Sequence, residues 1–175
     1  MDRAELARRI AEVALLRGEF TLRSGRTSRY YLDKYLFSTQ PEVLAELGRM
    51  FAERIRPRKV DRLAGAELGG IPLVTAASLA TGLPCVFVRN AKKDYGTAKQ
   101  IEGRLERGER VIIVEDIATT GGQVLEAARV LTDLGAVVDT IISTIDRLEG
   151  ARENIEAAGY RYESLFTKAD LGIDE

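Results

Sequence analysis

Short apolar runs alternate along the chain with stretches in which apolar residues recur every three or four positions, the pattern of strands interleaved with helices. Val111 to Val114 are four consecutive β-branched residues, suited to a strand buried on both faces of a parallel sheet. Further apolar runs predict strands at 61–66, 84–88 and 137–145. Helical spacing predicts helices over 71–81 and over 121–134, the second carrying Val124, Leu125, Ala128, Leu131 and Leu134. Upstream, Thr39 and Glu42, with Pro41 in the first turn, open a helix whose face is Leu44, Leu47, Phe51 and Ile55 and which Pro57 stops. Asp2 with Glu5 offers a capping box for a first helix carrying Leu6, Ile10 and Val13 and ending near Gly18. Residues 20–37 read as two extended segments about a Ser24-Gly25 turn.

Strands alternating with helices define an α/β protein with a doubly wound, mainly parallel sheet and right-handed crossovers. The 175 residues show no internal repeat, low-complexity tract or linker, so the expectation is one domain over 1–175. Its core spans about 36–150. Residues 1–35 and 151–175 lie outside the alternating pattern and are expected to form a small hood over the sheet's carboxyl edge.

Composition narrows the chemistry. With 26 Lys and Arg against 27 Asp and Glu, the net charge is −1, and no global field recruits nucleic acid or a membrane. Cys85 is the single cysteine, expected in the core, so a disulfide framework is excluded and a reducing, cytoplasmic setting is expected. The amino terminus reads as a charged helix rather than a signal sequence, and no apolar run approaches the about 20 residues that span a bilayer. Histidine is absent, which removes Ser-His-Asp and Cys-His catalysis and most zinc sites. The chemistry therefore falls to carboxylates, lysine, arginine, tyrosine or a metal on oxygen ligands. That suits Mg²⁺ bound mainly through substrate phosphates and hydroxyls, with no side chain assigned as a direct ligand.

Three segments carry candidate function. The 111–114 run ends in Glu115 and Asp116, which places two acids at the edge where open α/β sheets bind ligands. Ala118-Thr119-Thr120-Gly121-Gly122 then opens into a helix, forming a phosphate cradle of bare backbone N–H groups favoured by the helix dipole. The acid pair would suit ribose hydroxyls. No Walker lysine follows these glycines and no G-x-G-x-x-G occurs. Ala66-Glu67-Leu68-Gly69-Gly70-Ile71-Pro72 is a second strand-to-helix loop, suited to a pyrophosphate held by backbone amides. Residues 89–110 form a long polar connection whose first half carries Arg89, Lys92, Lys93 and Lys99 against Asp94 alone, a local charge of +3 that suits a polyanion under a lid.

The 111–123 segment resembles the signature of the type I phosphoribosyltransferases, in which two acids contact the ribose hydroxyls and a Thr/Gly-rich loop holds the 5-phosphate. The resemblance narrows to the orotate phosphoribosyltransferase family through Phe20 to Ser28, through the lid residues Arg89, Lys93, Asp94 and Gly96 continuing to Ile101-Glu102-Gly103, and through Asp146-Arg147. It implies transfer of a phosphoribosyl group from phosphoribosyl pyrophosphate (PRPP) to orotate, in the synthesis of pyrimidine nucleotides (UMP). It implies PRPP contacts from Glu67, Leu68 and Gly69, from Arg89, Lys93 and Tyr95, and from Glu115, Asp116, Ile117, Ala118, Thr119, Thr120, Gly121, Gly122 and Gln123. Orotate contacts fall to Thr119, Arg147 and Arg23, and the catalytic groups are Lys93, Glu115 and Asp116. It further implies Mg²⁺ and a homodimer in which Lys93 reaches across the interface. The chain departs from the family's usual cations at Asn90, Gly69 and Arg23, and from its usual lid histidine at Tyr95.

The residues read on their own agree with that chemistry. Departure of pyrophosphate leaves positive charge on the ribose ring and negative charge on the leaving group, which the acid pair and Lys93 with Mg²⁺ would respectively stabilise. Arg147 can hold a carboxylate bidentately, a geometry lysine does not reproduce. The alternatives are a phosphoribosyltransferase for a purine or uracil, which leaves Arg147 without a carboxylate, a non-catalytic and RNA-binding regulator on the same fold, and a Rossmann-type cofactor-binding protein.

Overall fold

A computed structural model describes residues 1–22, 25–91 and 100–174. Its centre is a six-stranded sheet in the order β5-β4-β3-β6-β7-β8. The strands are β3 (Arg62–Ala66), β4 (Cys85–Val88), β5 (Ile101–Glu102), β6 (Arg110–Ala118), β7 (Val137–Asp146) and β8 (Arg161–Thr167). All neighbouring pairs are parallel except β4 with the two-residue β5. The doubly wound, mainly parallel α/β expectation is met.

The β-branched run explains why β6 sits at the centre. Its side chains alternate, so Ile112 and Val114 join one apolar cluster, with α3 (Pro41–Ile55) and α4 (Gly70–Thr81), while Val111 and Ile113 join another, with α5 (Gly122–Asp133) and α6 (Ala151–Ala157). All four are at most 1% exposed. Burying each such side chain contributes about 1.5–3 kcal/mol before the entropy of ordering is subtracted. Cys85 is half-buried at the rim of the first cluster.

The amino-terminal segment differs from the sequence expectation in instructive ways. Helix α1 (Arg3–Ala14) ends four residues before Gly18, and the chain passes directly into β1 (Leu15–Thr21), which pairs antiparallel with β2 (Thr27–Leu32). Gly18 lies where the register shifts between Arg17 and Phe20, so it marks a bulge rather than a helix stop. Asp2 accepts from Glu5 N (2.8 Å), as its capping position requires. The second extended segment is also shorter than expected. Asp33 accepts a hydrogen bond from Tyr35 N (2.9 Å) and starts a short helix, α2 (Lys34–Ser38). The Thr39 hydroxyl donates back to Tyr35 O (2.6 Å) and closes α2, leaving Gln40 as the uncapped start of α3. Leu47, Phe51 and Ile55 are buried on α3 with Val43, whereas Leu44 is only partly so.

The carboxyl-terminal correction is larger. Residues 151–167 were expected in the hood, but α6 and β8 extend the central sheet, with β8 parallel to β7. The terminal turn at Lys168–Leu171 and the end of β8 return to the amino-terminal helix. Arg3 donates to Asp170 (3.0 and 2.9 Å) and to Leu165 O (3.0 Å), and lies over the Phe166 ring.

Candidate active site

The two acids lie within β6 rather than beyond it. The strand continues to Ala118, paired with Asp146 at the end of β7. Strand alternation then sends Glu115 and Asp116 to opposite faces of the sheet. Glu115 faces a cleft of about 600 Å³, and Asp116 faces α2 and the start of α4. Both are nearly buried, at 8% and 4% exposure. Glu115 accepts from Asp116 N (2.8 Å), Asp116 accepts from Ile117 N, and Lys34 Nζ stands 2.9 Å from Asp116 Oδ2. Burial pushes the Glu115 carboxyl above its usual range, the Asp116 charge adds to this, and the Lys34 ammonium opposes it. Burial works against the charge of Lys34 itself, but Asp116 outweighs it and raises the ammonium's pKa.

The phosphate cradle follows directly. Gly121 adopts φ +82° and precedes α5, whose amino end has no side-chain cap, so its N–H groups are left for an anion. Asn154 on α6 donates to Thr120 O (2.8 Å) and fixes the loop. Arg89, Glu115 and every residue from Ile117 to Gln123 line the same cleft, which brings most of the expected PRPP contacts together.

The 67–69 loop meets the acids from the other side. Its Glu67-Leu68 peptide is cis. Glu67 accepts from Asn90 N (2.6 Å), tying this loop to the first residues of the expected lid. Leu68 is 63% exposed. Gly69 packs so closely that an added Cβ would sit 1.7 Å from Asp116 Oδ2 and 3.2 Å from Lys34 Cδ. At the lid's base, Arg89 Nη1 is 3.8 Å from Glu102, and its buried Nε has no hydrogen-bond partner among the described residues. Lys93, Tyr95 and Arg23 lie outside the described residues, as do Lys92 and Lys99.

Arg147 begins the turn after β7, and its backbone N–H donates to Ala118 O (3.0 Å), which ties it to the end of β6; Thr119 lines the cradle cleft, and Arg147 a second one. Its Nη2 donates to the Tyr30 hydroxyl (2.9 Å) and stands 3.0 Å from Glu149 Oε1. The guanidinium lies 5.1 Å from the Tyr30 ring centre, and its buried Nε has no partner among the described residues. A second cleft of about 530 Å³ is lined by Arg147, Tyr30, Ser28, Arg26 and Glu149. Leu148 is the one non-glycine residue with positive φ (58°) among those described, and its N–H is held by Asp146 (2.8 Å). Tyr30, Lys34, Glu149 and Asn154 are site residues that sequence reasoning missed. Only Tyr30 had a signal, as half of an aromatic pair on a predicted extended segment.

No group of three potential ligands for a metal occurs among the described residues. The donor set is two carboxylates already engaged with backbone N–H groups and Lys34. Those residues fit an Mg²⁺ that keeps its waters and takes its remaining oxygens from substrate.

A family model for the phosphoribosyl transferase domain matches residues 37–162, and the chain belongs to that family. Within it, similar relatives include orotate phosphoribosyltransferases. The chain is 48% identical to that of Natronomonas pharaonis over 157 residues, covering 90% of this chain and 89% of the relative. It is 42% identical to that of Methanocaldococcus jannaschii over 173 residues, 98% of each. Among solved structures, the Mycobacterium tuberculosis H37Rv orotate phosphoribosyltransferase in complex with PRPP superposes with a TM-score of 0.85 at 36% identity, over 99% of this chain and 100% of that one.

Proposed function

We infer that this protein transfers the 5-phosphoribosyl group of PRPP to orotate, releasing pyrophosphate and forming orotidine 5-phosphate, a step in making UMP. The observation that carries the reading is the backbone hydrogen bond from Arg147 to Ala118, the last residue of the strand that bears the acids and leads into the cradle. A carboxylate-bearing base held there would lie next to a sugar whose 5-phosphate sits at the start of α5. Glu115 and Asp116 would hold the ribose hydroxyls and favour positive charge on the ring, and the 67–69 loop with Arg89 would face the pyrophosphate. Orotate's ring nitrogen gives up its proton to the medium and forms its bond to the anomeric carbon as the bond to pyrophosphate oxygen breaks.

Mg²⁺ is proposed as the cofactor; when bound it would neutralise pyrophosphate oxygens, with Glu115 and Asp116 meeting it through the ribose hydroxyls. A homodimer that shares Lys93 is proposed as well. Its support is the family resemblance and an α4 that is apolar around its circumference, with Leu79 83% exposed. Sedimentation as a monomer at assay concentration would refute the dimer. No helix among the described residues is long and apolar enough to cross a membrane. A cytoplasmic setting is proposed, supported by the single cysteine.

The test is a panel of orotate, uracil, adenine and hypoxanthine, each incubated with PRPP and Mg²⁺ while pyrophosphate release is followed. Orotate should be preferred by about 10⁴-fold or more, because a site built to pair a charge rejects analogues that lack it. Comparable turnover of uracil would remove orotate from the assignment.

A further inference from the structure

Lys34 has no part in the function as read so far, yet it touches Asp116, the less exposed of the two β6 acids. It opens α2, is about one-third exposed, and directs its ammonium to Asp116 Oδ2 at 2.9 Å. A tether for α2 would be the simplest explanation. That helix is already anchored, however, by the fully buried Phe37, by the Asp33 cap and by Asp33 N donating to Ala14 O (2.9 Å). A partly buried ion pair adds little as a tether, because desolvation offsets most of its attraction.

The surroundings point to chemistry. Lys34 Cδ and Asp116 Oδ2 both occupy the space where a side chain at residue 69 would begin, so α2, β6 and the loop leading into α4 converge on one carboxylate. Two adjacent acids buried on a strand repel each other, and Lys34 brings a cation into contact with Asp116. Among the described residues, Lys34 and Tyr35 from α2 are charged or titratable neighbours of the pair, with Arg89 and Glu126 on the wall of the cleft that Glu115 faces.

We propose that Lys34 is a positioning residue for the sugar-diphosphate substrate, fixing the orientation of the Asp116 carboxylate beside the 67–69 loop. The proposal rests on the reading of Glu115 and Asp116 as ribose-binding acids. It is specific to one half of the reaction: Lys34 pairs with Asp116, whereas on the base side Arg147 pairs with Tyr30 and Glu149.

The test measures PRPP binding by calorimetry with no base present, alongside steady-state KM and kcat for both substrates, in Lys34→Met and Lys34→Arg. Loss of one charge-assisted contact should weaken PRPP binding about ten- to a hundredfold in Lys34→Met. The orotate KM should stay within about threefold, and Lys34→Arg should recover most of the PRPP affinity, since its charge can reach the same carboxylate. Unchanged PRPP affinity would overturn the proposal. So would a parallel loss for both substrates accompanied by a lower melting temperature, the result expected of a tether. Should Lys34→Met not fold, Lys34→Gln carries the same expectations. Because the binding measurement needs no base, a wild-type protein that ignores orotate would refute the orotate reading and leave the Lys34 result interpretable.

Discussion

Two Gly-Gly loops enter helices at the carboxyl edge of the sheet, and their glycines serve opposite purposes. At 69–70 the glycines make room for the protein itself. Asp116 and Lys34 fill the space beside Gly69, and a Cβ on Gly70 would approach Val114 O to 3.3 Å. At 121–122 one glycine turns the chain and the other leaves space empty. Gly121 takes φ +82°, whereas a Cβ on Gly122 would find nothing nearer than Thr120 Oγ1 at 3.8 Å. The first loop is therefore limited by packing against the acids. The second is an open cradle, shaped by one backbone conformation and fixed from behind by Asn154. A sequence pattern shared by both loops conceals two different physical demands, and substitution by alanine separates them.

The largest effect is expected at Gly69. Its added methyl would stand 1.7 Å from Asp116 Oδ2, a distance no real contact reaches, and the atom it meets is the free end of a side chain. Gly69→Ala should thus expel the carboxylate from Lys34 while sparing the fold. We expect kcat/KM for PRPP to fall about 10²- to 10³-fold, the scale for one group that stabilises transition-state charge. The loss should match that of Asp116→Ala, and the double substitution should cost no more than either alone, since both remove the same interaction. Full activity in Gly69→Ala would break the comparison, because this loop would then have room to spare.

Gly121→Ala should act on stability instead. An L-residue in the left-handed region costs about 1–2 kcal/mol. The new methyl would also press on Ile155 Cγ1 at 3.0 Å, on a side chain that is fully buried. We expect a total near 1–3 kcal/mol, read as a lower urea midpoint with an unchanged slope. A midpoint equal to that of the wild type would show that the turn does not need its glycine.

The same contrast explains which parts of the molecule were legible in the sequence. The cradle is local: strand, acids, hydroxyls, glycines and helix follow one another within 111–134, so hydrophobic pattern and spacing reveal it. Arg147 was legible through the family resemblance, on the Asp146-Arg147 pair that follows a buried run. Lys34 was not, because its partner lies far along the chain and only tertiary packing joins them. Nor was the extent of β6: an acid pair looks like a strand's end, and only the neighbouring β7, still pairing at Asp146, shows that the strand continues. Strand β8 was missed because Arg161–Thr167 mixes charged and apolar residues, as befits an edge strand, and resembles a loop in isolation. Gly18 was misread because a bulge and a helix stop use the same residue for related reasons.

The smallest effect, and the sharpest check on the cradle, is at Gly122. This residue is the first of α5 and has no positive φ, so alanine fits its backbone. Replacing a helical glycine at an unstrained position restricts the unfolded chain and stabilises by about 0.4–1 kcal/mol. The cradle acts through N–H groups, which alanine retains. Gly122→Ala should therefore raise the urea midpoint slightly and leave the KM for PRPP within a few fold of the wild type. A large rise in that KM, with stability still improved, would mean that the phosphate approaches the backbone at Gly122 more closely than a methyl allows. The second loop would then be limited by close approach as the first is, but with the ligand in the place of Asp116.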